Sequence, residues 1–330
     1  MSTRPADAET AGGSLAWRER LFTTLQRRGA IVVLILVVAV SALVFDNFLT
    51  EQSLENIVLQ GAFLGLIVVG MTFVIISGGI DLSVGSTVGL GGILAALTVQ
   101  VSWPIALMLP PLVCGLIGLG NGLLIAKAKM APFIVTLAGL LGIRGLALAF
   151  ASEKPIGIDG GSLFSWFGQG QILGISVPVI FVITAFAVGG LVLTRTSYGR
   201  VIFAIGGSEE SARLMGLPVD RTKVIAYTTS GALAGFAGAL LAARLSAGDP
   251  NAGLAWELDA ISAVVVGGTL LTGGAGTMSG SLAGVLLLSI LQNLINQVGT
   301  LGSYAQQVVS GFFLIVVVVV QAYLTRNERS

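Results

Sequence analysis

The stretch richest in chemistry is Ile76-Ser77-Gly78-Gly79-Ile80-Asp81-Leu82-Ser83-Val84-Gly85-Ser86. It sets one carboxylate, three hydroxyls and three glycines between two apolar runs, 57–76 and 84–101. A carboxylate at that depth must find protein or water partners, and so must backbone groups released where glycine interrupts a helix. Three readings fit these residue types. Asp81 accepts backbone N–H groups and holds open a helix break that lines a solute path. Alternatively, Asp81 binds a coupled proton or ion. In the plainest reading the stretch is a turn joining two spans, since helices commonly end at glycine.

Other polar groups lie in or beside apolar runs: Asn121, Gln292, Asn293, Asn296 and Gln297. Together with Ser77, Gly78, Gly79, Asp81, Ser83 and Gly85 they make a candidate pathway of hydroxyls, amides and glycine backbone. Such a lining suits a neutral, hydroxylated solute such as a sugar, whereas a permanently charged one needs stronger countercharges. Any single Asn or Gln serves equally well as an interhelical hydrogen bond. A shift of 195 residues lays Gly78, Gly79, Gly85, Ser86 and Gly89 onto Gly273, Gly274, Gly280, Ser281 and Gly284. Transporters built from repeats carry glycine-interrupted helices at matching places around the solute path, so Gly273 and Gly274 join the candidate pathway.

The elements that must hold these groups are membrane helices. Only 10% of the 330 residues are charged and 55% are hydrophobic. A soluble domain carries roughly 25% charged residues. The apolar runs are continuous rather than alternating, which excludes a transmembrane β-barrel. The expected fold is therefore all-α and polytopic, with about ten spans: 30–45, 57–76, 84–101, 104–126, 133–150, 177–194, 224–243, a short 260–271, 278–295 and 307–324. Residues 1–29 form a polar leader, 30–324 a single transmembrane domain, and 325–330 a tail. The first apolar run has the length of a signal-peptide core, but the long leader and the membrane-embedded chain after it favour an uncleaved anchor. Of the 17 basic residues, 14 fall in the leader, the tail and the loops after the fourth and sixth spans, so both termini are expected in the cytoplasm. Arg144 and Arg244 lie in or at the edge of apolar runs. Arg144 is expected to pair with a carbonyl or an acid, and Arg244 to snorkel outward.

Several functions are excluded at once. Net charge is +1, so no global field recruits nucleic acid. There is no histidine, which removes His-based zinc sites, proton relays and Ser-His-Asp catalysis. The one cysteine, Cys114, sits in an apolar run as a small buried residue. No phosphate-cradling G-x-x-x-x-G-K-[ST] occurs, so ATP, if it drives this protein, is bound by another chain. No metal or cofactor is expected, and the chain reads as no enzyme.

The most basic long loop is 195–223. Gly206-Gly207 reads as a turn, Ser208 as the cap of a short helix, and Glu209 and Glu210 as its first-turn acids. The helix is expected to stop near Gly216, with Pro218 forbidding continuation. It is either a solvated surface helix or a handle for a partner. The segment 151–176, with Phe164, Trp166 and Phe167, is a second place for docking or for interfacial anchoring.

These residues carry a resemblance. The stretch 75–86, with 199–216, 227–245 and 257–269, resembles the ribose-type sugar permease branch of ABC importers over nearly all of the chain after residue 30. The resemblance implies an inner-membrane subunit that works with a cytoplasmic ATPase, a periplasmic sugar-binding protein and a second permease copy. Glu210-Ser211-Ala212 with Gly216 matches the E-A-A, three residues, G pattern of such permeases, except that Ser211 replaces the first alanine. That pattern makes Glu210, Ala212 and Gly216 coupling positions facing the ATPase, within a coupling helix that also holds Ser208, Glu209 and Arg213. Arg213 is expected to pair with an acid on the ATPase. The implied cargo is a monosaccharide, a polyol, or a sugar-like signal such as autoinducer-2. An ion-coupled secondary transporter using Asp81 is the rival reading.

Overall fold

The computed structural model describes residues 31–45 and 47–298, with Val308, Gly311, Phe312 and Ile315 as isolated positions beyond them. The leader, the tail and the expected tenth span lie outside the described residues. Within them the chain is helical: α1 (Ile31–Val44), α2 (Glu51–Ile76), α3 (Val84–Thr98), α4 (Trp103–Ala126), α5 (Pro132–Ala151), α6 (Leu163–Gln169), α7 (Val177–Arg195), α8 (Ser197–Gly207), α9 (Glu209–Leu214), α10 (Val219–Leu245), α11 (Trp256–Val266) and α12 (Met278–Val298). Two-residue strands pair antiparallel as β1 (Ile156–Gly157) with β4 (Ala247–Gly248), and β2 (Gln171–Ile172) with β3 (Ile175–Ser176). Among the described residues, α2, α4, α5, α7, α10 and α12 are long and apolar enough to cross a membrane, while α1 and α3 are shorter apolar helices.

Helix α2 is the hub. From Gly61 to Ser77 every residue is buried, because α7, α10, α11 and α12 all pack round it. Helix α10 is the second axis and packs on α3 and α4 through backbone. A Cβ at Gly122 would sit 2.9 Å from Val224 Cα, and one at Gly91 would sit 2.5 Å from Gly235 O. Close approach of this kind substitutes dispersion and weak polar contacts for the hydrophobic drive that lipid does not supply. Cys114 lies in that seam, buried as expected.

Three elements depart from the sequence reading. Helix α2 begins six residues before the expected span, since Thr50 caps it by accepting Ser53 N–H. Helix α11 runs 256–266 rather than 260–271, because Gly268, at φ +87°, turns the chain out early. Gly206-Gly207 is not a turn but the last turn of α8, a helix the loop reading did not contain. The chain also folds back after α10: Ser246 adopts φ +53°, and β4 then pairs with β1.

Candidate functional site

The stretch after α2 closes as a helix cap. Gly78 N–H donates to Ile75 O (2.9 Å) and Gly79 N–H to Val74 O (3.0 Å), with Gly78 at φ +80°. That pair of bonds is a Schellman motif, in which only a left-handed residue lets the last carbonyls be met. Gly268 repeats it at the end of α11, donating to Val265 O (2.9 Å) while Thr269 N–H reaches Val264 O (3.2 Å). Both interruptions are therefore satisfied backbone turns.

Asp81 is buried at 1% exposure, yet both its oxygens are taken. Oδ1 accepts Ser83 N–H (3.0 Å) and the Ser83 hydroxyl (2.6 Å), and Oδ2 accepts the Ser230 hydroxyl from α10 (2.8 Å). Asn121 of α4 donates to Ser83 Oγ (3.3 Å), and the Tyr227 hydroxyl donates to Ile80 O (3.4 Å). The carboxylate thus staples the α2–α3 connection to α10. Gly85, one helical turn on, is covered by the Glu257 carboxylate and Gly253 O, so no side chain fits there. Arg144 of α5 donates to Pro250 O and to Ala252 O (2.9 Å), the carbonyl pairing its depth requires. Arg244 is exposed.

The two glycine pairs meet. Gly274 N–H donates to Ile76 O (2.9 Å), and a Cβ on Gly273 would lie 2.8 Å from Gly78 N. Gly206 of α8 is wedged against that same hydrogen bond: a Cβ there would overlap Ile76 O and Gly274 N. Three backbones share one contact, and the third leads directly into α9.

Helix α9 is held on every side. Ser208 caps it, accepting Ser211 N–H (3.2 Å). Ala212 is fully buried against Ile205 and Val219. Glu209 pairs with Arg213 (2.9 Å) and Lys223, and Arg213 also with Asp220 (2.6 Å). Burial pushes the Glu209 carboxyl up, but the bonds from Lys223 and Arg213 outweigh it and hold the group below its ordinary range. Gly216, at φ +73°, ends the helix with a third Schellman turn. Outward stand Glu210, Ser211 and Arg213, with Leu214 (83% exposed) and Met215 (66%). Arg213 thus has two acids within this chain, Glu209 and Asp220, and stays exposed.

The predicted pathway residues fall into four places. Asp81, Ser83 and Asn121 come together as the staple. Ser77, Gly78, Gly79, Gly273 and Gly274 cluster at the glycine contact, while Gly85 packs on Glu257. Asn293 stands apart, at the far end of α12, on the wall of a cavity of about 840 Å³ between α2, α10 and α12. Ser230, Tyr227 and Gly206 were missed, since nothing local in the sequence marks a long-range contact. Gln52, Asn56 and Gln60, also on the cavity wall, were missed although their spacing of four was readable.

With six helices long and apolar enough to cross a membrane among the described residues, this is a multi-pass membrane protein, and no group of three potential metal ligands occurs among those residues. The chain belongs to the branched-chain amino acid transport system / permease component family, whose pattern covers residues 53–319. It is 42% identical over 297 residues to the ribose import permease protein of Bacillus subtilis, covering 89% of this chain and 92% of that one. The Escherichia coli K12 ribose import permease protein is 37% identical over 308 residues (91% and 96%). The L-arabinose ABC transporter permease protein of Azospirillum brasilense is 36% identical over 314 residues (94% and 92%). No solved structure gives a significant match. The chain is accordingly an inner-membrane permease subunit of an ABC importer, and not an enzyme.

Proposed function

We propose that this chain translocates a monosaccharide or related polyol as the membrane half of an ABC importer. A periplasmic binding protein delivers the sugar, a separate ATPase drives the cycle, and two permease copies enclose the path. The observation that carries this reading is α9. Four charged side chains and a buried alanine immobilise a six-residue helix, whose exposed side includes the acid Glu210 and two large apolar side chains, Leu214 and Met215. A helix with no partner gains nothing from exposing Leu214 and Met215, whereas one that seats in an ATPase cleft buries them. The relatives, ribose and arabinose permeases, supply the cargo class.

In this arrangement α9 and both termini face the cytoplasm, ten helices span the membrane, and the two glycine-interrupted segments descend from one repeat. Gly78, Gly273, Gly274 and Gly206 form the place where movement of α9 reaches the bundle. The ion-coupled alternative draws no support from Asp81, because its acceptor sites are occupied by Ser83 and Ser230 within a closed staple.

The test is uptake in proteoliposomes. Radiolabelled D-ribose and L-arabinose should enter only when the permease, its ATPase, ATP and the binding protein are all present. Uptake by the permease alone, driven by a proton or sodium gradient, overturns the reading.

A further inference from the structure

The first turns of α2 carry an unusual stripe. Gln52, Asn56 and Gln60 recur every fourth residue, so they share one helix face, and all three are exposed. Gln60 lies nine residues into the helix, about 14 Å from its start at a rise of 1.5 Å per residue. Across from the stripe, α12 brings Asn293 and Gln297 to the same cavity. There the helices are pinned together: Ser53 donates to Asn293 Oδ1 (3.1 Å), and Gln297 donates to Ser53 Oγ (3.0 Å) and to Asn293 Oδ1 (2.8 Å). Trp256 stands on a third side.

Amides at this depth are costly against lipid and comfortable against water or a hydroxylated ligand. The cavity volume, about 840 Å³, falls in the roughly 300–1,000 Å³ range of small-molecule sites. Among the described residues its wall holds no carboxylate, and Arg244 is its one charged group. An amide offers a donor and an acceptor side by side, which is what each sugar hydroxyl also offers. An indole face adds an apolar surface for the C–H face of a ring. The cavity's position decides its side. It lies at the C-terminal end of α10, whereas α9 packs at the N-terminal end, where Arg213 meets Asp220. Twenty-seven residues of α10 separate the two by about 40 Å.

We infer that this amide-lined cavity is a sugar-binding station at the mouth opposite the ATPase, where a neutral polyol released by the binding protein first contacts the permease, with Gln60 and Asn56 as the hydrogen-bonding groups. This rests on the importer reading above.

The single cysteine makes the test direct. In a Cys114→Ala chain, assembled with its ATPase and binding protein in intact cells, Gln60→Cys and Asn56→Cys are exposed to a membrane-impermeant cationic methanethiosulfonate. Uptake of radiolabelled D-ribose and L-arabinose is then measured. Both positions should be modified from outside, and modification should reduce uptake at least tenfold. In unlabelled chains, Gln60→Leu should lower the maximal rate several-fold while leaving the half-saturating sugar concentration, which the binding protein sets, unchanged. Binding-protein-stimulated ATP hydrolysis by that variant should persist, which separates a lost sugar contact from a misfolded subunit. Lack of modification from outside, or full-rate uptake by the modified Gln60→Cys chain, overturns the station. If the Cys114→Ala parent and the natural chain both transport no sugar although the complex assembles, the importer reading fails and the sugar assignment goes with it.

Discussion

Gly206→Ala is the sharpest perturbation the structure offers. The new methyl has nowhere to go: it overlaps Ile76 O and Gly274 N and lies 2.9 Å from Gly274 Cα. Every neighbour is backbone, so no side-chain rotation relieves the clash. Either the Gly274 N–H···O Ile76 bond (2.9 Å) opens, or the end of α8 moves away by on the order of 1 Å. Overpacking of this kind costs about 1–3 kcal/mol, and opening the bond adds about 1 kcal/mol. Gly207, the next residue, is an internal control, since a Cβ there meets nothing within 4 Å. Neither variant alters a side chain or an ion pair of α9, so ATPase binding should be retained. In proteoliposomes containing the whole complex, Gly206→Ala should transport at least tenfold less sugar per ATP hydrolysed, with hydrolysis itself retained. Gly207→Ala should match the parent. If Gly206→Ala transports with parental coupling and parental thermal stability, the three-backbone contact does not carry motion from α9 to the bundle.

Three further outcomes follow from named contacts. Asp81→Asn should lower thermal stability, because it removes an acceptor from a buried site with two hydroxyl donors and one N–H, a loss of about 1–3 kcal/mol; transport by the surviving protein should show no new proton or sodium dependence, and the appearance of one would make Asp81 an ion site. Leu214→Asp should leave folding unaltered and abolish co-purification of the ATPase, since that side chain is 83% exposed and touches no core; retained binding would move the docking surface elsewhere. Glu209 has its folded-state carboxyl held below the unfolded value, so its contribution is present above about pH 4.3 and is lost as pH falls through the lower folded value. Glu209 itself is 41% exposed and its partner Arg213 38%, with only Lys223 (13%) sheltered, which limits the effect to at most about 1 kcal/mol; Glu209→Gln should therefore speed amide exchange across 209–215 by no more than about fivefold at pH 7, and the difference from the parent should vanish towards pH 3.

What the sequence discloses here depends on the range of the interaction. Ser208, Gly216 and Gly78 act on their own neighbours, through a cap and two left-handed turns, and their types and spacing announce those roles. The apolar runs announce the helices for the same reason. The staple and the glycine contact are different. Ser230 meets Asp81 across 149 residues, and Gly206 meets Ile76 and Gly274 across 130 and 68, so neither spacing nor composition marks them. The same limit applies to Arg213, whose bond to Asp220, seven residues on, forms where the chain passes Pro218 into α10 and is not marked by spacing or composition. Gln52, Asn56 and Gln60 form the intermediate case. Their four-residue period belongs to the sequence, but an amide stripe reads equally as helix–helix glue or as a water-facing wall. Only the placement of α12 opposite it, leaving a cavity between the two rather than a closed seam, separates those meanings. Polar residues in membrane helices thus take their function from what the opposing helix leaves unfilled. Here the amides that bond one another, Asn293 and Gln297, fix the wall, and the exposed ones, Asn56 and Gln60, are left for a ligand.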